Sequence, residues 1–357
     1  MSLLCVNDFE ENAKQKLSKI NFEFYLSGAG QQRTLEWNKT SYAKYRIRPK
    51  YMRRVSNRST STTILGKNVA VPIGISPTAF HKLAHPEGES GCARAAESFG
   101  SIFILSTHSN TSLEDVARAA PNGRKWLQTY ILTNRKITEE VIKSAEAAGF
   151  EAIVLTVDFA VFGIRLVNIK NNFMVPPNLS ASEILEKYRK DKLLENFVEF
   201  SDPNADWDYI KWLKTITDLP IVVKGVLTAE DATLAVKAGA DAILVSNHGA
   251  RQLDSLPATI EALPEVVKAV GSKVDVYVDG GIRDGTDVFK ALAMGAKMVF
   301  IGRPAIWGLA HDGEAGVKEV IGILKNELDN AMAITGCATI KEITQDMVVH
   351  ESYYSRL

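Results

Sequence analysis

Residues 246–254 read S-N-H-G-A-R-Q-L-D and follow directly on the apolar run Ala242-Ile243-Leu244-Val245. They offer a base in His248, a fork-shaped cation in Arg251 and a carboxylate in Asp254. An imidazole three residues from a guanidinium can take a proton beside a carboxylate that the guanidinium holds. A surface loop with ordinary polar residues would carry the same groups, so the reading depends on what stands at comparable places elsewhere. In a barrel of parallel strands, catalytic groups gather at the C-terminal strand ends.

Comparable places exist. Three segments, 144–158, 235–249 and 291–305, repeat one pattern: an Ala-rich helix, a Gly, then an apolar strand with a polar end. In each the strand end, at Thr156, Ser246 or Gly302, falls seven residues after the Gly; 95–106 is a looser copy. The Gly suits a left-handed helix cap and the apolar run suits a parallel strand buried on both faces. Such runs number eight: 71–76, 102–106, 126–130, 152–157, 220–224, 242–246, 275–279 and 298–302. Helical stretches such as 228–238 and 284–294 separate them. Eight β/α units predict an α/β fold of the (β/α)8 TIM-barrel type. A doubly wound open sheet is the second possibility, but no G-x-G-x-x-G follows an early strand.

Two segments stand outside the repeat. Residues 1–65 form an N-terminal extension, with helices expected at 8–17 and 21–27 and a hairpin turning near Leu65-Gly66-Lys67-Asn68. The stretch 159–219 is too long for an ordinary connection and predicts an active-site excursion. Within it Ser180 and Glu183 form a capping box that opens a charged helix.

The strand ends, taken in order, carry Thr78 and Ala79, then Ser106 and His108, then Gln128 and Tyr130. Thr156 and Asp158 follow with Arg165, then Lys224, then His248 and Arg251. The last two strands lead into Asp279-Gly280-Gly281-Ile282-Arg283 and Gly302-Arg303. Glycines that expose backbone N–H groups, with an arginine in each loop, suit a phosphate held after strands seven and eight. A lysine closing a buried strand needs either a salt bridge or an anionic cofactor to face.

With these residues in view, the chain resembles the FMN-dependent 2-hydroxy acid oxidases and dehydrogenases, the group of glycolate oxidase, over about residues 6–347. The resemblance rests on S-N-H-G-A-R-Q-L-D, D-G-G-I-R and G-R-P together. It implies one domain over 1–357, with FMN in the barrel mouth and its phosphate on Gly281, Arg283, Gly302 and Arg303. Asp279 and Gly280 belong to the same cofactor-binding loop. Lys224 would stand by N1 and the C2 carbonyl of the flavin ring. Thr78, Ala79, Ser106, Gln128 and Thr156 would line the ring. His248 would be the base, Asp158 its orienting carboxylate, Arg251 and Arg165 the substrate-carboxylate clamp, and Tyr130 a partner of the substrate hydroxyl. The reaction implied is oxidation of an (S)-2-hydroxy acid to the 2-oxo acid, with O2 reduced to H2O2. A homo-oligomer, a tetramer, is implied as well.

The chain also departs from the family. The family's usual Tyr is Phe24 here, and losing a hydrogen bond to a charged group weakens carboxylate anchoring by roughly 1.5–3 kcal/mol. Phe also occurs there in the branch acting on longer-chain acids. His108 stands where glycolate oxidases often carry Trp, and Phe159-Ala160-Val161-Phe162 replaces the usual T-P-x-L. Both changes line the expected substrate pocket, which favours medium-chain, long-chain or aromatic substrates over glycolate.

Composition narrows the class. The 357 residues hold 42 Lys+Arg and 42 Asp+Glu, so neither a nucleic-acid footprint nor a polybasic membrane anchor is expected. Cys5, Cys92 and Cys337 show no metal-ligand or disulfide spacing and read as reduced thiols of an intracellular protein. His81, His85, His311 and His350 have no metal-ligand spacing, and no metal is expected. No apolar run reaches a membrane span. Ser355-Arg356-Leu357 differs from the S-K-L peroxisomal address by Arg for Lys and predicts a peroxisomal import receptor as partner. No fused haem domain is expected before residue 1, and that expectation favours oxygen over another electron acceptor. A dehydrogenase, a non-catalytic flavoprotein and an unrelated phosphate-binding barrel are the competing readings.

Overall fold

The structure is a computed structural model that describes residues 3–176, 179 and 201–356. Strands β1 (Tyr45–Ile47), β2 (Thr62–Ile64) and β3 (Lys67–Val69) precede the repeat. The barrel strands are β4 (Ile73–Ile75), β5 (Ile102–Leu105), β6 (Arg124–Tyr130), β7 (Ala152–Thr156), β8 (Ile221–Val226), β9 (Ala242–Val245), β10 (Asp275–Asp279) and β11 (Met298–Ile301). They close in the order β10-β11-β4-β5-β6-β7-β8-β9, every neighbour pair parallel. All eight expected runs are strands, within about two residues at either end. The repeat glycine Gly239 caps its helix at φ 109°, in the left-handed region where a Cβ is costly.

Alternation along each strand sorts the side chains. Ile104, Trp126, Val154, Val222, Leu244, Tyr277 and Phe300 fill the barrel with Ile64 and Val69 of the β2–β3 hairpin beneath them. The other face packs on the helices, for example Ile153, Val223, Ile243 and Val299. Burying such a side chain contributes roughly 1.5–3 kcal/mol, so neither face tolerates a register slip.

The N-terminal extension wraps the barrel. Helix α1 (Val6–Lys16) lies along the last long helix, Arg303–Thr335, and α2 (Lys19–Leu26) brings Phe22 against Trp307 at 5.1 Å. Helix α3 (Arg33–Thr40), which the sequence reading did not anticipate, docks beside residues 246–254. Here Asp254 differs from expectation: its carboxylate accepts the Gln31 and Thr34 amides, both at 2.9 Å, and serves α3 rather than the site. Strand β1 pairs antiparallel with β12 (Val348–His350) and ties the two ends together. The excursion after β7 is present as expected and holds the helices Leu166–Lys170 and Asp208–Ile216. Ser180 and Glu183 lie outside the described residues.

Candidate active site

A cavity of about 710 Å³ opens at the C-terminal end of the barrel strands. Of the residues singled out at the strand ends, all line it except Asp158, which stands behind His248, and Asp254 lies apart against α3. Its neighbours include several residues with no local signal in the sequence: Phe80, Asn168, Phe173, Met174, Val175 and Asn38. Only the fold brings the excursion and the N-terminal extension over the mouth.

His248 follows β9 in a tight turn. His248, Gly249 and Ala250 all have positive φ, at 59°, 61° and 62°. For a residue with a Cβ the left-handed region costs roughly 1–2 kcal/mol, and local bonds hold the turn there. Ser246 Oγ accepts the His248 amide at 3.1 Å and Asn247 Oδ1 accepts the Ala250 amide at 3.1 Å. Asn247 is itself fixed by a reciprocal buried amide pair with Asn38 of α3, at 2.9 and 2.8 Å.

His248 Nδ1 stands 2.7 Å from Asp158 Oδ1. Burial pushes the Asp158 carboxyl up, but the charges of His248 and Lys224 and the hydrogen bond prevail, and it lies below its ordinary value. An ionised carboxylate only accepts, so Nδ1 carries the proton and Nε2 is left as the basic atom. Burial holds the imidazole below its ordinary range against the opposing pull of Asp158, so it is neutral at neutral pH. Space for Asp158 comes from a β-bulge between Lys224 and Val226. There Gly225 has φ 107°, and a Cβ on it would lie 2.7 Å from Asp158 Cγ.

The lining is cationic. Arg165, Lys224, Arg251, Arg283, Arg303 and Lys39 meet one carboxylate, Asp279, among the described lining residues. Lys224 Nζ donates to Ser246 Oγ at 2.9 Å and stands 3.6 Å from Asp279 Oδ2. Burial, then repulsion from Arg165 and Arg303, depresses the Arg251 guanidinium well below its ordinary value. Burial lowers Arg165 to about 10 against the opposing pull of Tyr130 and Asp158, and burial with repulsion from Arg283 lowers Arg303 to about 9. Each still carries its charge at neutral pH, and bound anions would relieve the repulsion.

The arginines are aimed by main-chain carbonyls and aromatic rings. Arg251 Nη1 donates to the carbonyls of Phe24 (2.7 Å) and Ser27 (2.9 Å), and its Cζ lies 5.0 Å from the Phe24 ring centre. Phe24 in turn stacks on Phe173, centroids 4.2 Å apart and planes 11° apart. Arg165 lies 4.4 Å over the Phe162 ring. Arg303 donates to the carbonyls of Tyr25, Gly249 and Ser27, which locks the extension to the turn that carries His248.

The residues fit a phosphorylated, hydroxyl-rich flavin. Gly302 begins the helix Arg303–Thr335 with no side-chain cap; Pro304 has no N–H and the Ala305 N–H donates to the Gly302 carbonyl at 3.0 Å, so the first turn offers the Arg303 N–H to an anion. Asp279 Oδ1 and Arg283 Nε are buried polar atoms without a hydrogen-bond partner among the described residues, an acceptor and a donor on the wall that such a ligand would meet. Gln128 is oriented in that wall, donating to Thr156 Oγ1 at 3.0 Å and accepting the Thr107 amide at 3.2 Å.

A parallel barrel with a neutral histidine–carboxylate pair and a phosphate-type cradle defines an enzyme built around an anionic organic cofactor. Residues 13–350 match the family described as FMN-dependent dehydrogenase, and the chain belongs to that family. It is an FMN-dependent oxidoreductase. It is 46% identical over 348 residues to 2-hydroxyacid oxidase 2 of Bos taurus, covering 98% of this chain and 99% of that protein. Glycolate oxidase of Spinacia oleracea is 47% identical over 355 residues, covering 98% of this chain and 96% of that protein. Among solved structures, mandelate oxidase with benzoyl-formic acid superposes at a TM-score of 0.89 with 38% identity, over 96% of this chain and 98% of that one.

Proposed function

We propose that this chain oxidises (S)-2-hydroxy acids to 2-oxo acids and passes the electron pair to O2, releasing H2O2, with larger apolar or aromatic acids preferred to glycolate. The observation that carries the reading is the placement of neutral His248 beside the guanidiniums of Arg165 and Arg251, neither of which forms an ion pair among the described residues. FMN, when bound, supplies the two-electron acceptor. Arg251 and Arg165 hold the substrate carboxylate, and Tyr130 accepts or donates at the substrate hydroxyl. His248 Nε2 takes the substrate proton, and Asp158 stabilises the imidazolium that results. Gly281, Arg283, Gly302 and Arg303 hold the phosphate, Asp279 and Gly280 complete that loop, and Lys224 offers its charge to the flavin ring beside Thr78, Ala79, Ser106, Gln128 and Thr156.

The substrate preference is supported by the walls. Phe24, Phe80, Phe159, Phe162 and Phe173 surround the mouth with Tyr130 and His108. Burial first, then the charges of Arg165 and His248, lowers His108 to about 3, so it presents a neutral ring. Tyr25 offers no replacement for the hydroxyl missing at Phe24, because its O–H donates to the Phe80 carbonyl at 2.6 Å. Each methylene buried against these rings contributes about 0.8 kcal/mol.

Peroxide yield across a series of (S)-2-hydroxy acids, from glycolate through long-chain acids to mandelate, tests the proposal. Efficiency should rise with apolar size, and peroxide should match 2-oxo acid one to one. Glycolate ranking first would remove the preference, and turnover only with an artificial electron acceptor would replace oxidase by dehydrogenase. The tripeptide Ser355-Arg356-Leu357 supports a peroxisomal location. A fluorescent protein ending in these last dozen residues should collect in peroxisomes, and diffuse fluorescence would refute it.

A further inference from the structure

The Gln252 side chain uses the whole hydrogen-bonding capacity of a primary amide on one neighbouring loop. Its Nε2 donates to the Asp158 carbonyl at 3.0 Å and to the Val161 carbonyl at 2.9 Å. Its Oε1 accepts the Gly163 amide at 3.2 Å and Arg165 Nη2 at 3.4 Å. Two donors and two acceptor sites are all that such an amide has. Gln252 follows Arg251 directly and stands four residues after His248. The loop it grips runs from Asp158 to Arg165. One amide therefore joins the segment with the base and one guanidinium to the segment with the orienting carboxylate and the other guanidinium.

Other contacts show how closely the two loops meet. Arg165 Nε donates to the Arg251 carbonyl at 3.0 Å. A Cβ on Gly163 would lie 2.4 Å from that carbonyl oxygen and 2.5 Å from the Gln252 oxygen. Among the described residues the Asp158 carboxylate has one side-chain hydrogen bond: Oδ1 meets His248, and Oδ2 is buried without a hydrogen-bond partner. Its position depends on its own main chain, which is what Gln252 anchors.

We propose that Gln252 is a positioning residue that fixes the register between the loop bearing His248 and Arg251 and the loop bearing Asp158 and Arg165. The inference rests on the reading of His248 as base and the two arginines as carboxylate clamp. Loss of the four bonds frees Arg165 to move and lets Asp158 drift from His248. The charged groups acting on His248 are Asp158, which favours its protonation, and Lys224 and Arg165, which oppose it, with neutral His108 nearby. Separation from Asp158 therefore moves the acid limb of the rate profile to lower pH.

The test uses the FMN-loaded enzyme, with benzoylformate as probe of the clamp and its binding read from the flavin spectrum. Gln252→Met keeps the length and loses every bond. It should retain FMN, weaken benzoylformate at least about tenfold, the effect of losing a hydrogen bond to a charged group, and lower the acid limb of kcat/KM. Gln252→Glu keeps the two accepted bonds and faces Arg165 with a carboxylate. It should recover most of the benzoylformate affinity while flavin reduction stays slow, because the Asp158 and Val161 carbonyls have lost their donor. Wild-type affinity and pH profile in Gln252→Met would overturn the proposal. Should that variant fail to take up FMN, Gln252→Glu decides alone, and reduction at the normal rate there overturns it. His248→Gln separates the two levels: if it reduces normally, the underlying assignment of the base has failed rather than the role of Gln252.

Discussion

His248→Gln should keep FMN but slow flavin reduction by substrate at least about a hundredfold, the scale of lost general-base catalysis. Asp158→Asn probes the same pair through pH. Asp158 is the group that favours the protonated imidazole, so its neutralisation lowers the His248 pKa further. The acid limb of kcat/KM should move to lower pH while the maximum rate falls; an upward shift would contradict the pairing. Phe24→Tyr should improve glycolate more than a larger acid, which a ratio of kcat/KM values would show. At this level the sequence was informative, since reactive residue types ending apolar strands identify themselves. Asp254 misled because a carboxylate beside a base looks the same whether it faces the cavity or caps α3. Gln252 and Asn38 went unselected because an amide acts through partners distant in the chain.

The elements were legible to different degrees. The barrel strands follow from period and burial, and each end was found to within about two residues. Neither the register shift at Lys224–Val226 nor the run of left-handed residues at His248-Gly249-Ala250 has such a signature, because the first is set by pairing with the neighbouring strand and the second by hydrogen bonds to the Ser246 and Asn247 side chains. Gly225→Ala tests the bulge. With φ 107° and Asp158 Cγ 2.7 Å from the new Cβ, the variant should lose about 1–3 kcal/mol of stability and reduce its flavin several-fold more slowly. Thermal unfolding and stopped-flow reduction would measure the two effects, and an unchanged rate would mean that Asp158 is not confined there. Helix α3 also escaped the sequence reading. Its role is to hold the catalytic turn through Asn38 and Asp254, which no local pattern announces.

The whole molecule carries equal numbers of acidic and basic side chains, yet its cavity is lined by six Lys and Arg against one carboxylate among the described residues. That segregation is what a bound phosphate and a substrate carboxylate require, and total composition conceals it. The proposed function requires that this cavity pass electrons from a 2-hydroxy acid to a flavin. The direct measurement is to mix the purified FMN-loaded protein anaerobically with a panel of (S)-2-hydroxy acids, follow the flavin absorbance, and then admit air. Bleaching is expected, fastest with an aromatic or medium-chain acid and nearly absent in His248→Gln, followed by recovery of colour and formation of peroxide. A flavin that stays yellow with every member of the panel would contradict the proposed function.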